Sequence, residues 1–189
     1  MPELVPLGAA GERSCARFVF LGQIHGEKGI RELVAASHRL PDGVTVDVYG
    51  TLGFDVSEAE LSGSGALTYR GAVKPEDVHG LLLGYDALVL PTYHPGEGYP
   101  GVILEAYGAG LPVVATRWRA VPELVSEETG VLVEPRDEDS LRAGMLSLVN
   151  DGGLYRRLLS GVREKRADFS DKRWHARFVH YCNELAGRA

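Results

Sequence analysis

Long apolar runs are absent from this sequence, and cysteine nearly so, with two among 189 residues. No stretch approaches the roughly 20 apolar residues that cross a bilayer. The opening MPELVPLGAAGERS lacks the charged start and apolar core of a secretion signal. Cys15 and Cys182 stand far apart with no CxxC or histidine spacing beside them, so neither a zinc site nor a disulfide scaffold is suggested. Neither GxGxxG nor a P-loop occurs, and no groove-reading motif of a nucleic-acid binder accompanies the basic residues. These absences predict a chain working in the reducing cytoplasm, with no nucleic-acid partner.

Apolar residues make up 44% of the chain and charged ones 24%, enough for one sizeable core and too little length for two large domains. The formal net charge is −6, yet from Gly152 onward nine Lys/Arg face four Asp/Glu. Those cations, Arg156, Arg157, Arg163, Lys165 and Arg166 among them, are spread over helical patterns and read as solvated helix faces.

Short β-rich runs alternate with helical patterns, the mark of a parallel sheet with crossover helices. Strands are expected at 18–21, 44–49, 66–69, 87–90, 112–115 and 131–133, with nearly continuous apolar runs, as for strands covered on both faces. The expected fold is α/β, a doubly wound, Rossmann-like parallel sheet of about six strands with extra C-terminal helices. Helices are expected at 30–40, with Leu33, Val34 and His38 inward, at 75–83, at 102–107 ended by Gly108 and Gly110, and at 120–125. From Asp137 three helical segments follow. The last, 174–185, aligns Trp174, Phe178, Tyr181, Cys182 and Leu185 on one apolar face. Residues 1–14 read as a lead-in, and 15–189 as one domain that includes the helices of 152–189.

In such sheets ligands gather beyond the carboxyl ends of the strands, and three exits carry unusual residues. GQIHGEKG after the first strand brings Gly22, Gly26, Gly29 and one cation, Lys28, to a helix start; bare backbone and a lysine suit phosphate, although the same pattern makes an ordinary turn. RGAVK follows the third strand. HPGEGYPGVILEAYGAGLPVVAT follows the fourth, with Pro100 expected at a first helical position and Gly98 and Gly101 leaving the backbone bare. It also carries Glu97 and Glu105, eight positions apart. Those two can grip the hydroxyls at the ends of a sugar-bearing diphosphate. They can equally form the acid/base pair of a glycoside hydrolase, or lie on a solvated loop and at a helix dipole. His25 and His94 lie in these loops and read as solvated, and Trp118 as packing the turn that follows the fifth strand.

From residue 18 to about 185 the chain resembles the C-terminal, donor-binding half of retaining GT-B glycosyltransferases of the group-1 (family 4) type. FLGQIHGEKGIRELVAA is similar to that family's glycine-rich first turn with its KG pair, RGAV to its third-strand loop, and PTYHPGEGYPGVILEAYGAGLPVVATRWRAVPELV to its E-x7-E signature. The resemblance implies that Lys28 contacts the donor diphosphate, with Gly22 and Gly29 shaping the turn. It implies that Glu97 holds hydroxyls of the transferred sugar and that the backbone of Gly98, Tyr99, Pro100 and Gly101 approaches sugar and phosphate. Glu105 is implied at the ribose diol and Val73 against the base. The donor is then a UDP- or GDP-sugar, no metal or other cofactor is expected, and Lys28 and Glu97 carry the catalytic role. The acceptor belongs to an N-terminal domain or partner chain, with peripheral membrane contact where that acceptor is a lipid.

Two departures stand out. Gln23 occupies a position where many members carry arginine, a charged contact worth about 2–4 kcal/mol to a departing diphosphate. Pro100 and Gly101 replace the more usual Gly-Leu pair. Gln23 and the missing acceptor half keep open a non-catalytic nucleotide-binding scaffold, and a related GT-B epimerase is the third reading.

Overall fold

Alternate residues of RFVFL fill two separate cores. The computed structural model describes residues 15–63, 65–168, 178–184 and 187, and its first strand, β1 (Arg17–Leu21), sends Phe18 and Phe20 to one face and Val19 and Leu21 to the other. Five more strands follow: β2 (Thr45–Tyr49), β3 (Leu67–Gly71), β4 (Ala87–Leu90), β5 (Val113–Thr116) and β6 (Gly130–Val133). All pairings are parallel, in the order β3-β2-β1-β4-β5-β6. The expected doubly wound α/β sheet of six strands is therefore present.

On the first face Phe18, Phe20, Val46, Val89 and Val114 pack beneath α1 (Ile30–Ser37) and α6 (Glu138–Asn150). On the second, Val19, Leu88, Val113 and Ala115 lie under α3 (Val78–Leu82), α4 (Gly101–Ala109) and α5 (Val121–Leu124). Each large side chain so buried contributes about 1.5–3 kcal/mol. Helices on both faces explain why β1, β4 and β5 are apolar almost throughout. A helix not expected from the sequence, α2 (Glu58–Leu61), is closed by a capping box between Ser57 and Glu60. The long α7 (Gly152–Asp168) runs beside α4 and α6.

Several expectations need correction. β2 and β3 are not continuously buried: TVDVY and LTYRG alternate, because among the described residues no helix covers the second face at that edge. Polar groups stand there instead, Arg70 pairing with Asp47 at 2.9 Å while the Tyr85 hydroxyl donates to Asp47 at 2.7 Å. His38 caps α1 and is exposed rather than inward. Gly108 lies within α4, and Gly110 alone, at φ 82°, ends it. Pro100 is the residue before the helix rather than its first residue. The 1–14 lead-in lies outside the described residues, as do Trp174 and Leu185. Residues 178–184 are helical, with Phe178, Tyr181 and Cys182 exposed. No described helix is long and apolar enough to cross a membrane.

Candidate functional site

Winding reverses between β1 and β4, so the loops leaving these two neighbours, 22–29 and 91–101, lead to opposite faces at the position where open α/β sheets have their ligand crevice. Glycine sets how closely they approach. Gly29 sits at φ 76°, and a Cβ there would stand 2.0 Å from the Pro91 carbonyl oxygen, so only a bare backbone lets the loops cross. Gly50, at φ 150°, meets the same limit after β2, since a Cβ there would stand 1.7 Å from the Gly22 carbonyl oxygen, whereas one on Gly22 itself would meet nothing within 4 Å. The Tyr93 amide then donates to the Glu27 carbonyl at 2.8 Å, joining loop to loop.

The side chains repeat the connection. Lys28 Nζ and Glu97 Oε2 are 2.7 Å apart, with side chains 19% and 9% exposed. Thr92, fully buried at the end of β4, donates its hydroxyl to the same Oε2, and Thr116 at the end of β5 donates to the Thr92 carbonyl. Glu97 is thus held by an ammonium and a hydroxyl, both on one oxygen among the described residues. A carboxylate so engaged is an acceptor, which argues against the general-acid role that a glycoside hydrolase requires. An ammonium has three N–H donors, and one contact leaves two for another anion. Lys28 also offsets the Glu97 charge locally.

At the start of α4 the Gly101 and Val102 amides precede the first intrahelical bond, and added Cβ atoms at Gly98 or Gly101 would meet nothing within 4 Å. This helix end is open backbone carrying the positive end of the helix dipole. Tyr99 beside it is 55% exposed, whereas Pro100 is buried. Glu105 lies beyond the first turn, exposed, and forms no hydrogen bond or ion pair among the described residues. It therefore does not act as a partner of the N-terminal dipole. Gln23 is exposed on the β1 exit, and Val73 at the β3 exit packs partly against the second core.

Sequence reasoning brought Lys28 and Glu97 to one site without foreseeing their contact, and it missed several residues that build the rim. Thr92, two residues past β4, and Thr116, the last residue of β5, carry no sequence motif that would mark them. Trp118, half-buried in the turn after β5, donates from its Nε1 to the His94 carbonyl at 2.8 Å, tying the β5 exit to the β4 exit. Arg136, at φ 59°, places its guanidinium 4.8 Å from the centre of the Tyr93 ring. Burial, then the Glu32 carboxylate, pushes the Tyr93 hydroxyl above the ordinary tyrosine range.

Known proteins resemble this chain in sequence and in fold. A sequence model of the family described as "Glycosyl transferases group 1" matches residues 15–151. The O-antigen chain mannosyltransferase B of Escherichia coli is 34% identical over 87 residues, 46% of this chain and 22% of that protein. Sucrose-phosphate synthase from Thermosynechococcus elongatus superposes with a TM-score of 0.74 at 22% identity, over 95% of this chain and 47% of its own. Anabaena HepE in complex with UDP gives 0.73 at 22% identity, over 82% of this chain and 44% of its own. The chain thus spans less than half the length of each.

Proposed function

Because this chain belongs to the group 1 glycosyltransferases, we propose that residues 15–189 form their donor-binding half, holding a UDP- or GDP-sugar for retaining transfer to an acceptor carried by an N-terminal half or partner chain. The observation that carries this reading is the Lys28–Glu97 contact at 2.7 Å, which sets a cation and a hydroxyl acceptor side by side in the crevice. The Lys28 ammonium takes a diphosphate oxygen with its remaining N–H groups, and the open amides at the start of α4 take the other phosphate oxygens. Glu97 accepts from hydroxyls of the sugar, Glu105 from the ribose diol, and Val73 lies against the base. Gln23 donates a neutral hydrogen bond where a charged one is usual.

In this mechanism the sugar–diphosphate bond ionises without a metal. The protein's task is to stabilise charge growing on the leaving phosphate, which Lys28 and the helix dipole do from fixed positions. The likeness to HepE, whose structure contains UDP, favours a uridine nucleotide. Transfer is proposed to occur in the cytoplasm, with membrane contact only where the acceptor is a lipid.

Calorimetric titration with UDP, GDP and their sugar conjugates tests the assignment. Micromolar binding of one diphosphate is expected, and Lys28→Ala should weaken it at least about tenfold, as for a lost charge-assisted hydrogen bond of about 1.5–3 kcal/mol. Circular dichroism checks that the variant is folded. Absence of binding below millimolar, or unchanged affinity in a folded Lys28→Ala protein, sinks the reading.

A further inference from the structure

Beside the Lys28–Glu97 pair stands a second cluster with a different chemistry. His25, Glu27 and His94 each offer one ligand atom, and these atoms all lie within 4.8 Å of one another. His94 Nδ1 is 2.8 Å from Glu27 Oε2, and the His25 and His94 rings meet edge to face with centroids 5.3 Å apart. Both imidazoles are half-buried and Glu27 is exposed.

The backbones beneath them are tied in place. The His25 carbonyl accepts from the Lys28 amide at 2.9 Å, the Glu27 carbonyl from the Tyr93 amide at 2.8 Å, and the His94 carbonyl from the Glu97 amide at 3.0 Å. The Trp118 indole donates to that same His94 carbonyl at 2.8 Å. Three donor side chains from two loops therefore converge on a braced frame rather than on free-swinging segments.

Two imidazole nitrogens and one carboxylate oxygen form a donor set suited to zinc and its transition-metal neighbours; magnesium and calcium favour oxygen throughout. Zinc–nitrogen bonds of about 2.0–2.1 Å place the ligand atoms of a tetrahedral ion about 3.3 Å apart. The 4.8 Å spread exceeds this by an amount that rotation about side-chain bonds can span. The ion would replace the His94–Glu27 hydrogen bond.

We propose that His25, Glu27 and His94 form a zinc-type metal site at the rim of the crevice, clamping the β1 exit to the β4 exit. Three protein ligands leave a fourth coordination position for water. Glu27 adjoins Lys28, and His94 lies three residues before Glu97, so occupancy fixes the two loops that carry the ion pair. This clamp is separate from the transfer chemistry and does not depend on which donor, if any, the crevice binds.

The test uses the whole chain, stripped with a chelator and titrated calorimetrically with zinc sulfate, while cobalt(II) reports coordination geometry through its visible spectrum. One equivalent is expected to bind with a Kd at or below about 10 μM. Cobalt should give the intense bands of a four-coordinate ion, and zinc should raise the melting temperature. His25→Ala, Glu27→Gln and His94→Ala should each weaken binding by more than the about 10- to 100-fold that losing a partner behind a ligand costs. His180→Ala combined with Cys182→Ser should leave it intact, which removes the terminal helix as the source. Magnesium chloride should give no comparable heat. The proposal is overturned if zinc fails to saturate the folded protein by about 100 μM, if the three variants bind as the parent does, or if binding disappears with His180 and Cys182.

Discussion

Lys28 and Glu97 illustrate how much a single contact can decide. Read along the chain, Lys28 is one cation in a glycine-rich turn and Glu97 one acid in another, and each has an ordinary explanation. At 2.7 Å and largely buried they form one unit, and removing either partner leaves the other charge without its counterpart. Gln23 is the residue where the proposed chemistry is weakest. Exposed at the same loop, it has room for a longer side chain. Gln23→Arg should therefore tighten UDP binding about tenfold or more, an added charge-assisted contact of about 1.5–3 kcal/mol. The gain should shrink as salt is raised, because an exposed charge is screened. Equal affinities for the two proteins at low salt would show that position 23 does not face the diphosphate.

Among the elements, the strands were the most legible. All six begin within a residue of where the apolar runs placed them and five also end within one, because a strand covered on both faces must be apolar almost throughout. The exception in kind is the β2–β3 edge. Asp47 and Arg70 signalled an uncovered face in their own sequences, and the continuous-run expectation passed over that signal. Helix α2 was passed over in the same way, although Ser57 and Glu60 have capping-box spacing. What could not be read is where helices touch other elements. Gly161 looks like a weak point in α7, yet a Cβ there would stand 1.9 Å from the Glu128 carbonyl oxygen, so its bareness lets the helix seat against the loop before β6. Gly161→Ala should lower stability by about 1–3 kcal/mol despite alanine's better helix propensity. A matched Gly98→Ala, whose Cβ meets nothing within 4 Å, should be nearly neutral. Urea denaturation of the pair decides it, and a stabilised Gly161→Ala protein would contradict the contact.

For the molecule as a whole, the tyrosines set an alkaline limit. Burial pushes Tyr107 from the ordinary 10.0 up to about 12, while its hydroxyl donates to the Leu124 carbonyl at 3.0 Å. Tyr85 moves upward too, from burial first and then from its bonds to Tyr49 and Asp47. A hydroxyl that ionises later in the folded than in the unfolded chain contributes stability that is complete below pH 10 and lost as pH climbs through the folded value. Tyr107 alone should cost about 2–3 kcal/mol between pH 10 and pH 12. Urea midpoints at pH 8, 10 and 11, with absorbance at 295 nm to follow ionisation, should fall together above pH 10. Stability that is flat to pH 11 while the tyrosines titrate would contradict the linkage.

The alternation of apolar runs with helical patterns by itself determined a doubly wound sheet, and the glycines with Lys28 and Glu97 marked two loops beyond it, because periodicity and local backbone demands act over neighbouring residues. Strand order decided the rest. Only the placing of β1 beside β4 brings residues 69 positions apart within 2.7 Å, gathers His25, Glu27 and His94 on one rim, and makes Gly29 a crossing point. Such contacts depend on long-range pairing, which the chain encodes through its whole core rather than in any one segment.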